Sequence, residues 1–302
     1  MSDVTDTVVL RAGDLEATWV PAAGMVGASL RHRGDELLGQ RGGLAAYVER
    51  GSTFGVPLLH PWANRVGADR FGVAGHEVHL PERAAPVRRD EHGLPIHGLL
   101  AASPAWRVTA AEQGAVTARL EFGGDLLELF PFPHELVVSV ALDERGLEVT
   151  TAVEAVAGTP VPIAFGWHPY VAPPGAERAD WVLDLPERRH LLTDDRGLPT
   201  GATGPASAER ARLGARTFDD GYDELAAPVL ALEGGGRRIA VTLGHGYRVA
   251  QVFAPPDQDL VALEPMTAPT DALRTGHGLR WAAAGEAFTA TFRLDVEDLP
   301  AA

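Results

Sequence analysis

Glu135-Leu136-Val137-Val138-Ser139-Val140-Ala141-Leu142, then Asp143-Glu144-Arg145-Gly146, then Leu147-Glu148-Val149-Thr150-Thr151-Ala152-Val153-Glu154-Ala155-Val156, is the stretch that decides the fold class. Two β-favouring runs rich in Val, Thr and Leu flank a four-residue connection ending in Gly, the pattern of an antiparallel hairpin. Near the C-terminal end, Phe288, Ala290, Phe292 and Leu294 alternate with Thr289, Thr291 and Arg293, giving one face to a core and the other to water. Similar short runs occupy 7–10, 15–20, 116–122, 161–165, 229–233, 238–243, 247–253 and 260–264, whereas convincing amphipathic helices are scarce. Many short strands without intervening helices argue against a βαβ architecture and for an all-β antiparallel sandwich or barrel. Such a unit can absorb all of 1–302 as a single domain. The most loop-like stretches are 83–94 and 193–212, the latter carrying Gly197, Pro199, Gly201, Gly204 and Pro205. Six residues of Thr217-Phe218-Asp219-Asp220-Gly221-Tyr222 combine carboxylates with aromatics around an Asp-Gly pair of the kind common in turns.

The composition excludes whole classes of chemistry. All 26 basic residues are Arg, so Schiff-base chemistry and a phosphate-loop Lys are ruled out. The absence of Cys removes disulfides, thiolate nucleophiles, Cys-ligated zinc and iron–sulfur clusters. A net charge of −15 repels nucleic acid and anionic lipid surfaces. No run reaches the length of a membrane span, and Met1-Ser2-Asp3-Val4-Thr5-Asp6 resembles no signal peptide. The expectation is a cytoplasmic protein, monomer or homodimer, acting on a small molecule, with no nucleic-acid or membrane partner.

Among the 11 His, several sit in suggestive contexts. His76-x-x-His79 has loose metal-ligand spacing but sits in an apparent hairpin with no third ligand beyond Glu77, so exposed strand residues fit it as well. Phe165-Gly166-Trp167-His168-Pro169-Tyr170 places an imidazole against a stiffening Pro, which suits either a rigidly aimed ligand group or a half-buried turn histidine. Leu260 to Met266 ends an apolar strand in Glu264, and a carboxylate there demands a partner or a role. His60-Pro61-Trp62-Ala63-Asn64-Arg65 couples an aromatic plate with an amide and a guanidinium, suited to sugar hydroxyls or carboxylates, or else to core filling and a surface ion pair.

Taken in order, His60-Pro61-Trp62-Ala63-Asn64-Arg65-Val66, Ile96-His97-Gly98-Leu99, Gly166-Trp167-His168-Pro169-Tyr170, Asp219-Asp220-Gly221-Tyr222 and Glu264-Pro265-Met266-Thr267 resemble the aldose 1-epimerase (galactose mutarotase-like) family, from about residue 10 to the final strand. The resemblance implies a large antiparallel β-sandwich of the galactose mutarotase-like type and no cofactor or metal. It places the general acid on His168 and the general base on Glu264, with Arg65, His97 and Asp219 contacting substrate. Asp220 and Asp223 are close enough in sequence to compete for the Asp position. Val66 and Val171 depart from the family's usual Ile and Phe, which bears on substrate preference.

The chemistry so implied is interconversion of α- and β-anomers of an aldose. A base removes the O1 proton while an acid protonates O5, the C1–O5 bond opens, and the ring recloses on the other carbonyl face. Glu264 ionised at neutral pH and His168 titrating near neutrality would fill these roles. Asn64 would join Arg65 and Asp219 on the hydroxyls, and Trp62 or Trp167 would form an apolar wall. A non-catalytic carbohydrate-binding sandwich would not need both His168 and Glu264. A glycoside hydrolase built on Asp219 and Glu264 would leave His168 without a task. A metal-dependent, His-rich sandwich is the third alternative. Arg31, Arg33, Arg70 and Arg274 are available for a phosphate subsite.

Overall fold

A computed structural model describes residues 7–156 and 158–300, so the Met1 to Asp6 stretch lies outside the described residues. The hairpin forms as the sequence predicts: His134–Leu142 pairs antiparallel with Gly146–Ala155, from His134 opposite Ala155 to Leu142 opposite Leu147. Its connection closes on Asp143, whose Oδ1 accepts the N–H groups of Arg145 at 2.8 Å and Gly146 at 3.0 Å. An Asp side chain bonding its own backbone in this way is what makes the turn local.

That hairpin sits in a nine-stranded antiparallel sheet with Ala115–Phe122 on one side and the long strand Ala287–Asp298 on the other. Facing it is a second antiparallel sheet whose order is Pro199–Ala206, Arg188–Thr193, Phe218–Asp223, Val249–Ala254, Val261–Met266, Gly166–Trp167 and Leu58–Leu59, with Tyr170–Val171 also pairing Val261–Met266. Period-two alternation fills the space between them. Leu136, Val138, Val149, Phe292 and Leu294 from one sheet meet Trp167, Tyr222, Ala250, Val252 and Leu263 from the other in one apolar cluster. The fold is thus a large antiparallel β-sandwich. Only two α-helices, Gly43–Arg50 and Ala272–Thr275, occur among the described residues, and none there is long and apolar enough to cross a membrane.

Two local expectations are corrected. The stretch 193–212 is not loop: it contains the strands Pro199–Ala206 and Glu209–Arg212. Each is the outermost strand of its sheet, where one side of the backbone ladder is unused and Pro and Gly are tolerated. The Asp-Gly pair at Asp220-Gly221 is likewise not a turn but the middle of the strand Phe218–Asp223, with a neighbour on each side. That strand pairing is what positions the site. Gly221 lies opposite Gln251 and Gln251 opposite Glu264, while Asp219 lies opposite Phe253. Since side chains alternate, the set Asp219, Gln251, Phe253 and Glu264 projects from the face turned away from the main core.

Candidate active site

On that outward face a cavity of ≈ 260 Å³ is lined by Arg41, Thr53, Asn64, Arg65, Glu91, Ile96, His97, His168, Tyr170, Asp219, Phe253 and Glu264. Six of the seven side chains singled out from sequence therefore converge. Trp62 does not: it is 1% exposed and belongs to the main core. Trp62 is bridged to Ala164 of the same core, whereas Asn64, two residues on, has a φ of 54° that breaks strand alternation, so the two side chains part and the indole turns inward. Trp167 is also core, its Nε1–H donating to Thr151 Oγ1 at 3.0 Å. Neither indole is an apolar wall of the cavity. Val66 and Val171 are buried in the same core, so their departure from the family pattern concerns packing and not the cavity surface.

Arg65 is anchored from several sides. Its Nε donates to Asp90 Oδ2 at 2.6 Å, and its Nη1 donates to Asn64 Oδ1 at 3.3 Å and Asp219 Oδ2 at 3.4 Å. Burial opposes the charge of Arg65, but Asp219, Asp90 and Glu91 outweigh it and raise its pKa. Asp219 is held at its other oxygen by Gln251, whose Nε2 donates at 2.7 Å. Asp220 points the other way, to His190 at 3.0 Å, and Asp223 pairs with Arg189. Among the three carboxylates of that strand, Asp219 is the one in this cavity.

His97 reaches the cavity because its N–H bonds Asn64 O at 2.9 Å and because Gly98 follows it. Gly98 has φ of 73° and lies against the His60 backbone, where a Cβ would collide. This accounts for the His-Gly pairing in chemical terms. Burial first, then the charges of Arg88, Arg65 and Arg41, push His97 down to about 3.

The strand start His168-Pro169-Tyr170 puts two rings on one side, stacked at 4.2 Å between centroids. His168 Nε2 lies 3.1 Å from Glu264 Oε1 and 3.4 Å from the Tyr170 hydroxyl. Tyr170 in turn receives Arg41 Nη1 at 3.1 Å and shares a hydrogen bond with Thr53 Oγ1 at 2.7 Å, and burial pushes its phenol up to about 12. Burial, reinforced by the charge of Asp219, drives the Glu264 carboxyl well above its ordinary value. Burial again, then His97 and Arg41, drives the His168 imidazole well below. An independently ionised Glu264 and a His168 titrating near neutrality are thereby corrected: burial moves the carboxyl up and the imidazole down, and their contact makes them one coupled pair. Among the described residues, Glu264 Oε2 and His168 Nδ1 are buried without a side-chain or backbone hydrogen-bond partner.

Arg41, Thr53, Asp90 and Gln251 were not among the residues picked from sequence. Arg31, Arg33, Arg70 and Arg274 are bound to Glu36, to Asp14 and Asp298, to Glu77 and to Asp271, and none lines this cavity. Arg41 does line it, with hydroxyl and carbonyl partners at Thr53 and Tyr170. His76 and His79 lie in the small hairpin Arg70–Val73 with His76–His79, and no group of three or more His, Asp or Glu among the described residues stands close enough to hold a metal ion.

Gly197, at the tip of the hairpin between the strands Arg188–Thr193 and Pro199–Ala206, abuts Arg65. A Cβ there would lie 2.7 Å from Arg65 Nη1, at a φ of 73°. Gly197→Ala is expected to shift the guanidinium and raise KM several-fold with little change in kcat, checked by steady-state kinetics. A variant with wild-type KM would show that Arg65 tolerates the displacement.

The sandwich has the galactose mutarotase-like fold. The chain belongs to the aldose 1-epimerase family, whose model matches residues 10–295. Among solved structures it is similar to Slr1438 from Synechocystis sp. PCC 6803, with TM-score 0.80 and 22% identity over 99% of each chain. It is also similar to a galactose mutarotase-like protein from Clostridium acetobutylicum, with TM-score 0.83 and 18% identity over 96% of this chain and 95% of that one. Identity this low carries the fold alone. A curated relative, the uncharacterized protein YihR of Escherichia coli K12, is 26% identical over 201 residues. That alignment takes in 64% of this chain and 59% of YihR, so the chain spans less than two thirds of the relative it matches.

Proposed function

We propose that this chain is an aldose 1-epimerase that interconverts the α- and β-anomers of an aldose by ring opening and reclosure. The observation that carries the reading is the buried contact of His168 Nε2 with Glu264 Oε1 at 3.1 Å. O1 and O5 hang on the same carbon, so the base and the acid that address them must converge, and these two groups do. The single proton they share sets the direction of flow. Burial favours that proton on Glu264, from which it crosses the 3.1 Å contact to His168; Glu264 then takes the O1 proton as His168 gives its own to O5, and the C1–O5 bond breaks to leave the open-chain aldehyde. After rotation about C1–C2, the same transfers run backwards on the other face, and the pair ends with the one proton it began with. Each positioned acid or base group supplies about 10²–10⁴-fold.

Arg65, Asp219, Asn64 and His97 are the groups we assign to the remaining hydroxyls. Arg65 and Asp219 present charged partners, which make the stronger hydrogen bonds. Arg65 also compensates Asp90, whose side chain is 2% exposed. Arg65→Ala is therefore expected to raise KM and also to lower folding stability by about 3 kcal/mol, because it leaves a buried carboxylate unpaired. Urea unfolding beside steady-state kinetics checks both, and a loss confined to kcat would contradict the assignment.

The test of the function is anomer exchange by NMR on freshly dissolved glucose, galactose and glucose 6-phosphate, with spontaneous mutarotation subtracted. Exchange above background with at least one sugar is the expected result. Sugar binding without any acceleration would instead favour a non-catalytic carbohydrate-binding sandwich.

A further inference from the structure

A second cavity, of ≈ 610 Å³, is larger than the first. It lies on the same sheet face as the catalytic cavity, displaced along the strands. In Phe218–Asp223, Asp219 lines the first cavity and Asp223, four residues on and on the same face, lines the second. In Val249–Ala254 the corresponding pair is Phe253 and Val249. Four strand residues span about 13 Å. Leu191, Val249 and Met266 pack with Leu59 and Ala63 in one apolar cluster.

The charges in the second cavity are unevenly compensated. Arg189 binds Asp223 through two bonds of 2.8 Å and reaches Glu224 at 2.9 Å, so these charges answer one another. Arg248 and Arg280 line the same space, and neither has a carboxylate partner among the described residues. Arg280 is fixed in place: its Nη2 donates to Gly246 O and, at 2.8 Å, to Thr267 O, and its guanidinium lies 4.7 Å over the Phe288 ring. Carbonyls and a ring face orient that charge without neutralising it. Burial and the nearby charge of Arg248 lower the pKa of Arg280. In a chain of net charge −15, two guanidiniums without carboxylate partners line one concave space, and one of them, Arg280, is held in place, which is a chemistry suited to an anion.

We propose that this cavity binds a small molecule carrying a phosphate or carboxylate group, held by Arg248 and Arg280, as a site separate from the sugar cavity. The volume falls within the range of small-molecule sites, and Leu225, Leu243 and the Tyr247 ring offer apolar wall to the rest of such a ligand. Arg248 is exposed and carries the variant, because Arg280 also holds backbone carbonyls and its replacement can unfold the region.

The test is calorimetric titration of the full chain with inorganic phosphate and with citrate, in the intact protein, Arg248→Gln and Arg41→Gln. The expected result is one saturable site for at least one of the two anions, weakened about tenfold in Arg248→Gln and unchanged in Arg41→Gln. Equal affinity in Arg248→Gln, no saturable binding at millimolar anion, or several weak sites that vanish with added salt (an adventitious ion only) would each overturn it. Loss in Arg41→Gln instead would move the anion to the sugar cavity and overturn it too. None of these readouts involves turnover, so they fail or succeed independently of the proposed epimerase activity.

Discussion

In Glu264→Gln, anomer exchange is expected to fall by about 10²–10⁴-fold, to the level of the uncatalysed reaction, with the melting temperature unchanged or raised. Gln fills the same space within the strand Val261–Met266 but can neither accept the O1 proton nor share one with His168. Stability is maintained or gained because the variant removes a fully buried ionisable group whose charged form burial disfavours. His168→Asn is expected to lose activity to the same extent. The informative comparison is the double variant. Because the two groups carry one proton as a unit, the double loss should approximate either single loss, as for residues that act together. A multiplicative loss would show two independent groups and break the shared-proton account. The pH profile carries the same content. Burial pushes the His168 imidazole down and the Glu264 carboxyl up, so the pair gains its second proton at lower pH and loses its last at higher pH than the free groups would. Activity should thus hold across neutral pH between two limbs that belong to the pair and to neither residue alone.

The elements legible in the sequence were those whose two faces meet different solvents. Ala287–Asp298 alternates because one face meets the core and the other water, and the hairpin of His134–Leu142 with Gly146–Ala155 adds its own turn chemistry. The strand Pro199–Ala206 was not legible, because it lies at a sheet edge with mostly exposed side chains and leaves no alternation to read. The site divides in a similar way. His168, Glu264, Arg65, His97, Asn64 and Asp219 stood in recognisable short motifs, and all six line the cavity. Asp90 and Gln251 carry no motif. Their importance is wholly spatial, since one neutralises Arg65 and the other holds Asp219. Trp62 was misread because an aromatic beside Asn and Arg looks the same in sequence whether its ring turns to the core or to the cavity. The merging of Glu264 and His168 into one proton-sharing unit depends on their contact and their burial, which no local pattern encodes.

Acid should unfold this protein through its histidines before its carboxylates. Away from the cavity, His60 Nε2 and His134 Nε2 lie 2.8 Å apart inside the sandwich, with His134 stacked on Phe122 at 4.5 Å. The tautomers follow from the partners. His134 Nδ1 donates to Phe132 O at 2.6 Å, so its Nε2 is the acceptor and His60 Nε2–H is the donor. Burial pushes His134 down to about 4, against a smaller upward pull from the Phe132 carbonyl. Burial and the second imidazole push His60 down as well. The folded values lie below the ordinary 6.5, so between those values the unfolded chain binds more protons, and stability rises with pH in that window. The neutral pair's contribution is complete above pH 6.5 and is lost as pH falls towards 4, by about 3 kcal/mol for His134 alone. Glu264 has the opposite sign, since its raised value favours folding at lower pH, but its partner His168 is lowered and offsets it. Urea unfolding between pH 7 and 4 should therefore show a steep loss, shallower in His134→Phe. That variant keeps a ring against Phe122 and is less stable than wild type at pH 7, because the His60 donor loses its acceptor. Stability independent of pH across this window, or an unchanged slope in His134→Phe, would mean that the imidazole pair is not what acid attacks.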